Sequence, residues 1–160
     1  MITLEPAVDL QEVIDLLGDP ELLSRIAEDG ATVNDLKTLV EKDQYYLMIK
    51  VDGINAGVCL FHETSSVTLE GHINILNKYR KKAKSAGQLL IEWFLYSAPA
   101  RYKKINAEIP VIYPEVYHYV KNHGFSDEGI NRQSICKNGT IVDQWRLGLT
   151  RTEAQELWGH

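Results

Sequence analysis

The chain has 160 residues, with 17 lysines and arginines against 22 aspartates and glutamates and a net charge of −5. That length suits one domain with a sizeable core. The acidic balance argues against general nucleic-acid binding, no apolar stretch is long enough to span a bilayer, and Cys59 and Cys136 lack the spacing of a zinc site or a disulfide framework.

Ile2 to Leu4 reads as a short strand. Asp9 can cap a helix carrying Val13, Ile14 and Leu17, which Gly18 ends. Pro20 starts a second helix with Leu22, Leu23 and Ile26, closed by Gly30. Val33 to Val40 reads as a third short helix. Tyr45 to Val51 is a strand, Asp52-Gly53 a hairpin turn, and Ile54 to Phe61 the returning strand. Val67 to Leu76 continues the meander. Ser85 to Ser97 has Ala86, Leu89, Leu90 and Trp93 on one helical face. Lys104 to Val111 is a strand, and Pro114 opens a helix that ends before Gly124-Phe125. Ser134 to Lys137 and Thr140 to Leu149 form a closing hairpin around Asn138-Gly139. The order predicts a mixed α/β (α+β) fold, a mostly antiparallel central sheet with flanking helices. Residues 1–150 are expected as a single domain. Residues 151–160 are expected as a polar tail that frays or forms a short helix. With no signal-peptide pattern in the first residues and no paired cysteines, a reduced, cytoplasmic location is expected.

Five of the 17 basic residues fall between Lys78 and Lys84. They sit where the third strand of the meander ends and a helix is predicted to begin at Ser85. Helix-start N–H groups lack internal partners, and the helix dipole favours an anion there. Most charge runs are solvated turns, but this one lies at a strand-to-helix junction. A pyrophosphate would fit Arg80, Lys81, Lys82 and Lys84 at such a place.

The strand before it alternates. Val67, Leu69, Gly71, Ile73 and Ile75 take one face, and Thr68, Glu70, His72 and Asn74 the other. Four polar side chains on one face of a central strand are costly if dry. A water-filled cleft resolves that cost, and so does an ordinary solvated face. In a cleft, His72 suits a general base near neutrality, with Glu70 its rival or an anchor for the acceptor. His62, His118 and His123 are expected to be structural or surface residues.

The run Arg80-Lys81-Lys82-Ala83-Lys84-Ser85, the preceding Ile75-Leu76-Asn77-Lys78-Tyr79, and the later Ile109-Pro110 and Lys121-Asn122-His123-Gly124-Phe125 together resemble the GNAT family of N-acetyltransferases. The family's loop reads Arg/Gln-x-x-Gly-x-Gly/Ala; here Ala83 and Ser85 replace the glycines. The resemblance implies a V-shaped split between the fourth and fifth strands. It implies acetyl-CoA as co-substrate, its pantetheine arm paired with the backbone around Ile75 and Leu76. It also implies phosphate contacts along Arg80, Lys81, Lys82, Ala83, Lys84, Ser85 and Ala86, and no metal. Many members carry a tyrosine, as acid for the leaving thiolate, four residues before the Gly of Gly-Phe; here that residue is Val120. The implied activity is acyl transfer to an amine, small molecule or protein, with His72 and Glu70 as catalytic residues. The alternative is an inactive protein of the same fold that works by binding a protein partner.

Overall fold

The computed structural model describes residues 1–32, 34–35 and 45–160. The expected helix from Val33 to Val40 lies, but for residues 34 and 35, outside the described residues.

The chain opens with β1 (Ile2–Pro6), α1 (Leu10–Leu17) and α2 (Pro20–Ile26). The meander follows as β2 (Tyr45–Val51), β3 (Ile54–Ser65) and β4 (Thr68–Ile75). A 3₁₀ turn (Asn77–Lys82) runs into α3 (Ala83–Tyr96). Next come β5 (Lys104–Pro110), α4 (Pro114–Asn122), β6 (Ser126–Lys137), β7 (Thr140–Thr150) and α5 (Arg151–Trp158). The described strands form one sheet in the order β1-β2-β3-β4-β5-β7-β6, antiparallel except where β4 meets β5. The two hairpin turns expected from sequence each have two consecutive residues at positive φ, Asp52-Gly53 and Asn138-Gly139. That is the type I′ geometry matching strand twist.

Strand alternation sends side chains to two cores. Leu47, Ile49, Cys59, Phe61 and Leu69 pack on the α3 side with Ile91 and Phe94. Met48, Val58 and Leu60 pack on the opposite side with Val13, Leu17 and Leu22 of the first two helices. Each fully buried large side chain contributes roughly 1.5–3 kcal/mol.

Several boundaries differ from expectation; β1 runs to Pro6 and β3 to Ser65, beyond the expected Leu4 and Phe61. The helix expected from Ser85 starts at Ala83, directly after the 3₁₀ turn. Nothing between Asn77 and Lys82 breaks helical backbone: there is no Gly or Pro, and the Arg and three Lys are good helix formers. α2 stops at Ile26 rather than running to Gly30, for a reason given below. β6 begins at Ser126, not Ser134. The end of the chain is helical: Thr150 and Glu153 form a reciprocal capping box. Ala154 of α5 is buried in the main core. Arg151 donates to the carbonyls of Leu95, Pro99 and Tyr102, closing the end of α3.

Candidate active site

β4 and β5 pair in parallel over only three residues, Thr68 with Lys104, Leu69 with Ile105 and Glu70 with Asn106. Beyond them the strands part. β4 stays on β3, and β5 stays on β7 to Pro110. The Leu76 N–H donates to the Ala56 carbonyl and so fixes the phase of the β3–β4 ladder. Alternation then turns the backbone groups of residues 71, 73 and 75 toward the gap. An edge of unpaired N–H and C=O groups accepts an extended, amide-bearing ligand as an added strand. Ile75 can serve that pairing. The Leu76 N–H is used by Ala56, and its carbonyl already accepts from the Tyr79 N–H.

The gap opens into a cleft of about 450 Å³, lined by residues of α2, β4, β5 and α4 among others. At its α3 end, Arg80 and Ala83 line the wall. The Nε and Nη2 atoms of Arg80 and the Nδ2 atom of Asn74 are buried there without a hydrogen-bond partner among the described residues. Buried orphan donors cost free energy unless an acceptor arrives. Lys81, Lys82 and Lys84 are exposed, Ser85 is half-buried, and the side chain of Ala86 is buried in the core.

α4 braces this end. The Tyr119 hydroxyl donates to the Ala83 carbonyl at 2.6 Å. The two ring nitrogens of buried His123 lie 2.8 Å from the Tyr119 carbonyl and 3.1 Å from the Lys84 carbonyl. Gly87 makes the approach possible. A Cβ there would sit 2.4 Å from His123 Nε2 and 2.6 Å from the Tyr119 oxygen. The expectation that His123 is structural therefore agrees with its placement. Val120 is buried and carries no acid. Tyr119, one residue earlier, also lines the cleft, and burial pushes its phenol pKa up. Tyr117 is committed to Asp127 at 2.7 Å.

The other end of the cleft receives the polar face of β4. His72 lines it; Glu70 lies behind, its Oε2 atom 3.7 Å from His72 Nε2. The same oxygen lies 3.1 Å from Nε2 of His62, the cross-strand partner of Glu70. The sequence reading set His62 aside. Its signal was the β3–β4 register, which pairs position 62 with position 70. The neighbouring His72 imidazole chiefly holds the Glu70 carboxyl below the usual carboxylate range, against the raising effect of burial, with help from His62 and Arg146. A carboxylate kept ionised this way is a poor proton acceptor near neutrality. It suits orienting His72 better than replacing it.

This end is walled by α2 and by the β6–β7 hairpin, which are tied together. The Lys137 ammonium, buried at the end of β6, donates to the carbonyls of Ser24 and Arg25, at 3.3 and 3.1 Å, and of Ala27. It satisfies the carbonyls at the end of α2 and meets the negative end of the helix dipole; this is why α2 stops there. Asp29 reciprocates, accepting from the N–H groups of Asn138 and Gly139 at 2.8 and 2.6 Å. Those bonds hold its pKa down. Arg25 faces Glu115 at 4.0 Å, and Arg146 engages Glu108 at 2.7 Å.

This architecture is that of known N-acetyltransferases. The chain superposes on a spermidine N-acetyltransferase from Vibrio cholerae, solved with CoA and spermine, with a TM-score of 0.79 over 96% of this chain and 97% of that one, at 17% sequence identity. It matches a protein proposed to be a phosphinothricin N-acetyltransferase with a TM-score of 0.75, covering 94% and 98% of the two chains at 20% identity. Neither a protein-family model nor a curated protein sequence matches the chain. The likeness is one of fold, and the fold is the GNAT fold.

Proposed function

We propose that this chain is an acyl-CoA-dependent N-acyltransferase that moves acetyl from acetyl-CoA to an amine by direct attack. The observation that carries the proposal is the splayed β4–β5 gap, with unpaired strand edge along its length and buried, unpartnered Arg80 donors at the foot of α3. The pantetheine arm runs along residues 71–75, with Ile75 as its main backbone partner. The pyrophosphate meets Arg80 and the turn through Ala83, Ser85 and the backbone of Ala86. Lys81, Lys82 and Lys84 supply a screened outer field. The CoA and spermine bound by the spermidine N-acetyltransferase support an acyl-CoA co-substrate and an amine acceptor.

The acceptor is a small-molecule amine entering between α2 and the β6–β7 hairpin. His72 takes its proton, and Glu70 orients the imidazole. The amine nitrogen bonds to the thioester carbon, the C–S bond breaks, and the thiolate leaves without a phenol at position 120. Cys59 is buried and its thiol pKa is raised by burial, so it is no nucleophile here. No described helix is long and apolar enough to cross a membrane. We place the reaction in the cytoplasm, a compartment that suits two free thiols.

Calorimetry with CoA tests the proposal. Arg80→Ala should weaken CoA by roughly 1–3 kcal/mol, the scale of a hydrogen bond to a charged group. Unchanged affinity in a folded Arg80→Ala variant would remove the site. No binding of CoA to the wild-type chain would leave a protein that works by binding a partner.

A further inference from the structure

We infer that His62, Glu70 and His72 form a binding site for a divalent transition-metal ion, and that the ion inhibits the enzyme by capturing the His72 imidazole. The inhibition rests on the acetyl-transfer reading; the binding does not.

The three side chains converge from two strands. Glu70 and His72 are two apart on one face of β4, and His62 is directly opposite Glu70 on β3. One ligand atom from each lies within 4.8 Å of the others. Zinc holds nitrogen and oxygen ligands at about 2.0–2.2 Å, so tetrahedral neighbours stand about 3.3–3.6 Å apart. The observed Glu70–His62 and Glu70–His72 separations are 3.1 and 3.7 Å. The donor set, two imidazoles and one carboxylate, suits zinc, cobalt, nickel or copper and not magnesium or calcium.

Charge and access agree. The Glu70 carboxylate supplies the negative charge that a dication needs. Arg146, whose field reaches it, is engaged by Glu108. The His72 side chain is 44% exposed and borders the cleft, which gives an ion an entry path and room for a water as fourth ligand. The imidazole rings now lie nearly parallel, 5.9 Å apart. Coordination would rotate them so that both lone pairs meet the ion. That ion would occupy the lone pair needed for taking a proton from the amine.

The test uses tag-free full-length protein stripped with a chelator and free of CoA, whose thiol would compete. Zn²⁺ is titrated by calorimetry, and Co²⁺ by its visible absorption. The expected result is one ion per chain. Affinity should fall at least about tenfold in His62→Ala, Glu70→Gln and His72→Ala, and stay the same in His118→Ala, a surface histidine. Thermal melting confirms the fold of each variant, and His62→Gln replaces His62→Ala if the latter fails to fold. Absence of stoichiometric binding, or binding that survives both histidine changes, overturns the site. In turnover assays, Zn²⁺ should inhibit the wild type reversibly, and the ratio of rates with and without Zn²⁺ should approach one in His62→Ala. Metal binding without inhibition would overturn the inhibitory role and the assignment of His72 as base, while acetyl transfer itself would stand.

Discussion

On the α3 side of the cleft, most of the groups that face the gap are backbone: the open edge of β4 and the turn into α3, with Arg80 the main side-chain exception. On the α2 side they are side chains: His72, Arg25 and Glu115, with Glu70 behind His72. The first kind of site tolerates sequence change, because every residue carries an N–H and a carbonyl. That explains how the turn can carry Ala83 and Ser85 where the GNAT loop pattern has glycines and keep its shape. Tyr119 and His123 hold the Ala83 and Lys84 carbonyls from outside the turn. The second kind depends on particular residues carried by elements distant in sequence. Its walls stay together through Lys137 and Asp29, more than 100 residues apart from their partners.

The largest expected effect lies on the side-chain half. His72→Ala should lower turnover roughly 10²–10⁴-fold, the span of general base catalysis. CoA affinity should not change, since His72 stands away from the α3 foot. The acidic limb of the pH–rate profile should disappear with the imidazole. Wild-type turnover in His72→Ala would pass the role of base to Glu70, despite its depressed pKa. Parallel losses in turnover and CoA affinity would show that the two halves are not separable.

Next comes Lys137→Met, which keeps the apolar stem and removes the ammonium. Carbonyls of Ser24, Arg25 and Ala27 lose a charged donor in a buried place. Stability should fall by roughly 2–3 kcal/mol, read by denaturant unfolding. The Michaelis constant for the amine should rise while CoA affinity holds. Unchanged stability would mean that the hairpin and α2 are held by packing alone.

The same contrast explains what the sequence shows and what it hides. The meander, α3 and the Gly-Phe ending were legible because alternation, helical spacing and Asp-Gly or Asn-Gly turns are local signals. The residues Ser126 to Gln133 were not. They form an edge strand, largely exposed, with register shifts after Asp127 and Asn131 and Gln133 at positive φ, so no period-2 pattern survives. The end of α2 was hidden for another reason: Lys137, not Gly30, ends it. The Thr150-x-x-Glu153 box was readable and would have predicted α5. At the site, His72 and Glu70 follow from one strand's alternation. His62 enters only once β3 and β4 are aligned residue against residue.

The smallest expected effect tests the backbone half directly. Ala83 opens α3 at φ −58°, ordinary helical backbone, so no strain requires glycine there. Its methyl group does limit how closely a phosphate approaches the turn. Ala83→Gly removes that limit and leaves the carbonyl in place for Tyr119. CoA affinity should hold or rise by roughly a few fold, under the 1.4 kcal/mol that a tenfold change requires. Stability should fall by no more than about 1 kcal/mol, the helix-propensity difference between the two residues. Calorimetry with CoA and a denaturant curve separate the two effects. A loss of more than about tenfold in CoA affinity, with folding intact, would mean that the methyl group itself contacts the ligand. The α3 side would then recognise side chains as the α2 side does, and the difference between the halves would disappear.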